Sequence, residues 1–323
     1  LADTDALYLT AIDKYGHELW RWTFPVNKLN QQTEQLSPLS SRPTYTETEN
    51  DLTVKANKRT FIFSKKDGQL KGVSVDNRKI SFANGPRFIG ARRADRSLDQ
   101  FYNHDDEKAK EKDRTYSEFP DAAVFTKLDV KEDGGNLVVT ANYKLGNLDK
   151  AQWTINPSGD LALDYTYNFS GVVDLMGIRF DYPEDQVISK RWLGAGPYRV
   201  WQNRIHGTQY DVWENDYNDP IPGETFTYPE FKGYFGDVSW MNIQTKEGTI
   251  SLTNETPDAY IGVYQPRDGR DRLLYTLPES GISVLNVIPP VRNKVNSTDL
   301  CGPSSQPKWV NGPQTGRVIF RFM

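Results

Sequence analysis

The chain has 323 residues, 37% of them hydrophobic, and a net charge of −4 from 39 basic and 43 acidic side chains. Because basic and acidic residues are nearly balanced, the composition does not indicate binding to nucleic acid or to an anionic membrane surface. No apolar run approaches the ~18 residues of a transmembrane helix, so insertion into a membrane is not predicted either. The single cysteine, Cys301, excludes an intrachain disulfide and a paired-cysteine metal site.

The first 26 residues predict a β-hairpin. Apolar and polar residues alternate on both sides of a DKYGHE turn, in which Gly16 is free to adopt a positive φ. Because a lone hairpin is not stable by itself, residues 1–26 are interpreted as the end of a preceding Ig-like β-sandwich, and the chain as a fragment of a longer polypeptide. Residues 27–50 are polar and rich in Ser, Thr, Gln and Pro, which indicates an interdomain linker.

From residue 51 onward the hydrophobic period is two, which predicts an all-β fold. Leu161, Leu163, Tyr165, Tyr167 and Phe169 form the clearest apolar stripe, and Asp or Asn with Gly marks tight turns between the runs. The predicted strands are 52–63, 122–130, 136–155, 160–182, 248–264, 282–289 and 316–322. They are enough for a large antiparallel two-sheet sandwich over residues 51–323. The charged stretch 105–119 predicts a solvated loop or a short surface helix instead.

The segment 191–213 is the most informative part of the chain. It carries three Trp, two Tyr and three Arg around a GAGP turn at 194–197. Aromatic rings cover the apolar faces of a pyranose, while Arg, Asn and His bind its hydroxyl groups, so the composition favours a sugar-facing surface. The alternative is a buried aromatic cluster at a sheet corner, in which Trp192 and Trp201 would be buried. The candidate residues here are Trp192, Tyr198, Arg199, Trp201, Asn203, Arg204 and His206, with Glu230 from the nearby YPEFKGY.

Several motifs give the chain its resemblance to a known family. The order W-L-G-x-G-P at 192–197 and Y-D-x-W at 210–213 resembles the large C-terminal β-sandwich domain of family 2 glycoside hydrolases of the β-galactosidase type. The hairpin-like run at 63–80, the Arg93-Ala94-Asp95 triplet, YPEFKGY at 228–234 and LCGPSSQPKW at 300–309 extend the likeness to roughly residues 45–323.

The resemblance implies a galactose mutarotase-like β-supersandwich that acts as an accessory, carbohydrate-contacting domain. Its partners would be a β-linked glycan and a catalytic barrel of the same polypeptide that is not part of this sequence, and self-association is left open. No cofactor and no metal is expected. In the family a terminal loop delivers an aromatic side chain to the sugar pocket. That loop corresponds to residues 297–309 of this chain. Cys301 occupies the position of the family's Trp, and Trp309 follows eight residues later, so both are candidate sugar contacts. Because the family's Trp is replaced, the resemblance does not define which sugar is bound.

No catalytic residue is predicted in this chain. Retaining glycosidases need two carboxylates ~5–5.5 Å apart, and in the resembled family both lie on a barrel. Asn254-Glu255 echoes the barrel's Asn-Glu pair but lies between predicted strands, so it is interpreted as non-catalytic. Two alternatives remain: a structural or oligomerisation module, and a stand-alone sugar-binding or aldose-epimerase-like domain with His206 and Glu230 as the acid and base.

Overall fold

The computed structural model describes residue Thr4 and the ranges 6–26, 41–93, 116–216, 233–263, 277–290 and 302–323. In these ranges the regular structure consists of β-strands and the short 3-10 turns Glu184–Gln186 and Pro303–Ser305. Within the same ranges there is no helix with the length and apolar character that crossing a membrane requires.

The strands follow one another along the chain with short connections in the described ranges. In chain order they are β1 (Ala6–Ile12), β2 (Glu18–Pro25), β3 (Thr44–Glu47), β4 (Asp51–Ala56), β5 (Arg59–Ser64), β6 (Leu70–Val75), β7 (Arg78–Ile80), β8 (Ala83–Arg93), β9 (Tyr116–Glu118), β10 (Val124–Asp133), β11 (Asn136–Lys144), β12 (Leu148–Ile155), β13 (Leu161–Val173), β14 (Leu175–Asp181), β15 (Val187–Gly196), β16 (Gln209–Asn215), β17 (Trp240–Thr245), β18 (Gly248–Asn254), β19 (Tyr260–Gly262), β20 (Ile282–Val287) and β21 (Lys308–Phe322).

The described strands form two large sheets and a separate hairpin. One sheet has the order β10-β11-β12-β13-β21-β18-β17-β15-β16, and the other has the order β19-β20-β14-β8-β6-β5-β4-β3, with β7 beside β6 and β9 beside β8. The pairing is antiparallel throughout these ladders. The final strand, β21, lies in the middle of the first sheet, where it joins β13 to β18.

Alternation in sequence explains why the sheets stack. In β13 the residues Leu161, Leu163, Tyr165 and Tyr167 point inward and are buried, while the intervening Asp164 is half-exposed. Rings from the two sheets then meet across the core. The Trp153 ring of one sheet lies 6.0 Å from that of Phe63 and 5.9 Å from that of Phe180 on the other, centroid to centroid. This confirms the predicted all-β, antiparallel two-sheet fold class.

The strand predictions were right where the period was clear and incomplete elsewhere. The ranges 136–155 and 160–182 each contain a pair of strands, β11 with β12 and β13 with β14. The aromatic segment, for which no strand was predicted, contributes β15 and β16. Part of the stretch predicted as a loop or helix is also a strand, because Tyr116 of β9 is buried and pairs with Arg93 of β8.

The N-terminal hairpin predicted from the sequence is present as β1 and β2, with Gly16 at a φ of 88° in the turn. One of its faces is apolar throughout, because Leu7 pairs with Phe24 and Leu9 pairs with Trp22. These side chains are exposed to solvent. The opposite face contacts the sandwich, where the Tyr8 hydroxyl donates a hydrogen bond to Asp211 of β16. Strand β3 lies at the end of the segment interpreted as a linker, and residues 27–40 are outside the described ranges.

Candidate functional site

Trp192 belongs to the core rather than to a surface. It lies in β15, its indole Nε1 donates a 3.0 Å hydrogen bond to the carbonyl oxygen of Ala195, and its ring meets Phe235 edge-on at 4.9 Å between centroids. The side chain is 1% exposed. The prediction that Trp192 lies on a sugar-facing surface is therefore corrected, because pairing of β15 with β17 turns this ring toward the opposite sheet.

Trp201 is also buried, at 2% exposure, against the ring of Tyr234 at 5.5 Å between centroids. The neighbouring backbone is held by reciprocal hydrogen bonds between Val200 and Tyr234, of 2.8 and 2.9 Å. Gly233 permits this packing, because a Cβ atom there would stand 2.8 Å from the indole nitrogen of Trp201. Both tryptophans thus match the structural alternative stated for this segment.

The polar members of the segment reach the surface. Tyr198 is 70% exposed, Arg204 and His206 are exposed, and Asn203 is half-buried. The Arg199 guanidinium lies 5.5 Å from the centre of the Phe235 ring, so this arginine is half-buried above the aromatic cluster. The solvent-facing part of the candidate site therefore consists of one phenol ring with cationic and amide groups.

Gln202 connects this segment to the other candidate segment, the loop before β21. Its backbone nitrogen donates to the carbonyl oxygen of Pro289 at 3.0 Å, and its side-chain amide donates to the carbonyl oxygen of Gln306 at 2.8 Å. Trp309, at the start of β21, is 69% exposed. The structure thus brings the 198–206 and 302–309 segments together. Gln202 was not among the predicted site residues. The sequence shows it only as a polar residue directly after Trp201, which does not indicate a contact with the loop before β21.

Two candidates cannot be placed. Glu230 and Cys301 lie outside the described residues, so the His206–Glu230 pair and the position aligned with the family's Trp are untested. Glu255, by contrast, is held in an ion pair with Arg317, with 3.0 Å between Oε2 and Nε. In the described ranges, His, Cys, Asp and Glu side chains form no group of three or more that is arranged to hold a metal ion.

These features define an antiparallel two-sheet domain that presents a polar and aromatic segment beside one sheet end. The chain belongs to the β-galactosidase small chain family, whose sequence profile matches residues 55–289. No curated protein sequence matches it significantly.

Similar solved structures include galactose 1-epimerase from Lactobacillus acidophilus NCFM, with a TM-score of 0.48, 10% identity, and coverage of 88% of this chain and 99% of that one. A GalM/aldose epimerase homologue from C. elegans gives a TM-score of 0.38 and 7% identity, covering 87% of this chain and 99% of its own. A putative mutarotase from Salmonella typhimurium gives a TM-score of 0.35 and 10% identity, with coverage of 90% and 95%.

Proposed function

We propose that this chain is an accessory, carbohydrate-contacting domain of a family 2 glycoside hydrolase of the β-galactosidase type. In this proposal it completes the sugar site of a catalytic barrel in the same polypeptide and has no hydrolytic activity alone. The observation that carries the proposal is membership of the β-galactosidase small chain family over residues 55–289.

The geometry around Gln202 supports a sugar-contacting role. The Gln202–Gln306 hydrogen bond holds two surface segments side by side, and each contributes a largely exposed aromatic ring, Tyr198 or Trp309. Exposed rings of this kind are suited to the apolar face of a pyranose, and Arg204 and His206 supply donors for its hydroxyl groups.

The experiment is a titration of the chain with galactose, followed by the chemical shifts of the Trp indole protons. We expect saturable binding that Tyr198→Ala and Trp309→Ala each weaken about tenfold, while the exposed Tyr45→Ala in β3 leaves it unchanged. The absence of saturation for wild type, or equal effects of all three variants, would contradict a sugar contact at these residues. Turnover of an aryl β-galactoside by the pure chain would contradict the non-catalytic assignment.

The hairpin supports a second part of the proposal, a structural role within the same polypeptide. Its apolar face, with Leu7, Leu9, Trp22 and Phe24, is exposed, although its other face is docked through Tyr8. An apolar sheet face is normally covered by a second sheet about 10 Å away. The proposal assigns that cover to an Ig-like β-sandwich of the same protein. Dye binding to the exposed face of this chain, abolished when the adjoining domain is supplied in the same polypeptide, tests the assignment.

A further inference from the structure

A groove crosses the outer face of the first sheet, away from the candidate residues. It consists of two adjoining depressions of about 630 and about 340 Å³, which share Glu255 and Pro257 as lining residues. Volumes of this size are typical of sites for small organic ligands. We name it the Glu255 groove.

The groove is long because side chains from consecutive strands form its floor. Gln152 of β12, Asp164 of β13, Thr315 of β21 and Glu255, just after β18, follow the sheet order. At ordinary strand spacing these four strands extend across about 14 Å. The larger depression continues from there to Tyr210 of β16 and ends at Pro25 of the hairpin.

Hydrogen bonds hold the walls in place before any ligand binds. The Asn254 side chain donates to the carbonyl oxygen of Val238 at 3.1 Å and accepts from the Thr256 amide at 3.1 Å. The Thr256 hydroxyl is in turn hydrogen-bonded to the backbone of Arg317. The hydroxyl groups of Tyr210 and Ser239 are hydrogen-bonded to each other at 2.7 Å. Such preorganisation lowers the entropy that binding costs.

The lining residues include four carboxylates, of Asp164, Asp237, Glu255 and Asp258, against two cations, Lys150 and Arg317, so the charges in the groove disfavour an anionic ligand. Arg317 is already paired with two carboxylates, Asp164 at 2.5 Å and Glu255 at 3.0 Å. Two further carboxylates, Asp237 and Asp258, are exposed at the larger depression and form no hydrogen bond or ion pair within the described residues. Burial raises the pKa of the neighbouring Tyr260, and the negative charges of both carboxylates raise it further.

The groove therefore combines free acceptor oxygens with small apolar surfaces. Pro25 and Pro257 offer exposed carbon surface, Tyr210 offers a ring, and Asp237 with Asp258 accept hydrogen bonds. A metal ion fits poorly, because no three acidic, His or Cys side chains in the described ranges converge to hold one. A ligand with many hydroxyl donors and a carbon skeleton fits both kinds of surface.

We propose that the Glu255 groove binds a neutral oligosaccharide, as a second carbohydrate site independent of the Tyr198 and Trp309 segments. The length of the groove across four strands favours a chain of sugar units over a single one. The inference does not require the proposed function, because none of the residues that carry it belongs to the candidate set.

The test is a calorimetric titration of the full chain with β-1,4-galactotetraose, with cellotetraose and spermine as comparison probes. We expect saturable binding of at least one tetrasaccharide. Asp258→Asn should weaken it about tenfold, because the charged acceptor is replaced by a neutral amide oxygen, which accepts a weaker hydrogen bond. The matched control is Asp76→Asn, since Asp76 is also an exposed aspartate at positive φ, 48° against 54° for Asp258, and lies in the turn between β6 and β7, where it does not line the groove.

Other outcomes overturn the inference. Binding of neither tetrasaccharide, or equal affinity for wild type and Asp258→Asn, would remove the groove as a sugar site. Binding of spermine alone would make it a cation site. Loss of tetrasaccharide binding in Tyr198→Ala and Trp309→Ala, with Asp258→Asn unaffected, would overturn the groove while supporting the proposed function. The two proposals therefore fail separately.

Discussion

The side-chain amide of Gln202 donates a 2.8 Å hydrogen bond to the carbonyl oxygen of Gln306, which lies 104 residues further along the chain. Gln202 is only 8% exposed, so water competes weakly for this bond. The bond fixes the short turn Pro303–Ser305 against the aromatic segment. Removing it should loosen one segment without unfolding the sandwich.

Gln202→Ala should therefore leave the Gln306 carbonyl oxygen without this donor, at a cost of about 1–3 kcal/mol. We expect faster hydrogen exchange at the amides of Ser305 and Gln306, which bond to the carbonyl oxygens of Gly302 and Pro303. Gln244→Ala is the control, because Gln244 is an exposed glutamine of β17. Unchanged exchange in Gln202→Ala would show that the turn is held by other contacts.

Truncation of Trp153 and Trp309 to alanine should change the stability of the fold to very different extents. Trp153→Ala should lower the free energy of unfolding by about 3–5 kcal/mol, because its buried ring packs between Phe63 and Phe180. Trp309→Ala should change it by less than about 0.5 kcal/mol, because that ring is largely exposed. Denaturant titrations measure both values. A large loss for Trp309→Ala would mean that its ring is packed.

Gly281 and Gly134 form a matched pair for backbone strain. Both have a positive φ, of 50° and 58°, but a Cβ atom at Gly281 would stand 2.0 Å from the carbonyl oxygen of Phe180, whereas space at Gly134 is open. Gly134→Ala should cost about 1–2 kcal/mol from the φ alone. Gly281→Ala should cost about 3 kcal/mol more, because the β14 backbone has to move. Equal melting temperatures for the two variants would refute this account.

The contact between the hairpin and the sandwich should weaken in alkali. The hydrogen bond to Asp211, followed by partial burial, raises the pKa of Tyr8 from 10.0 to about 12. Because the pKa is higher in the folded state, the stabilisation is fully present below pH 10 and is lost as the pH rises through 12. The difference in tyrosinate absorbance between wild type and Tyr8→Phe measures this pKa.

Asp211→Asn should return the pKa of Tyr8 toward 10, because the anionic acceptor is removed. Tyr45→Phe, in a strand that does not contact Asp211, should leave the transition near pH 12 in place. A Tyr8 that titrates near 10 in the wild-type chain would show that the hairpin is not docked through this bond.

Local pattern was sufficient to predict the fold where one face of a strand is buried. Every second residue of the stripe from Leu161 to Phe169 in β13 is buried, as predicted, and the turns at Gly68, Gly134 and Gly159 do have positive φ. The same reasoning did not predict the short strand β9, because it lies in a highly charged stretch and only one of its residues, Tyr116, is buried.

The candidate site was predicted less well, because aromatic residues suit both cores and sugar sites. Pairing of β15 with β17 decides that Trp192 faces Phe235, and this pairing joins residues about 50 positions apart that no local pattern links. The Glu255 groove was missed for a related reason. Its residues are ordinary polar side chains that only the strand order brings together.

The central place of β21 has a consequence for biosynthesis. Strands β10 to β13 and β15 to β18 become one sheet only through β21, which pairs with β13 from Lys308 to Phe320. Until the ribosome has released those residues, two half-sheets expose facing edges, which are prone to pair with other chains. Premature termination before Lys308 should therefore produce an insoluble polypeptide, and chaperone binding to the nascent chain should persist until β21 has emerged from the ribosome.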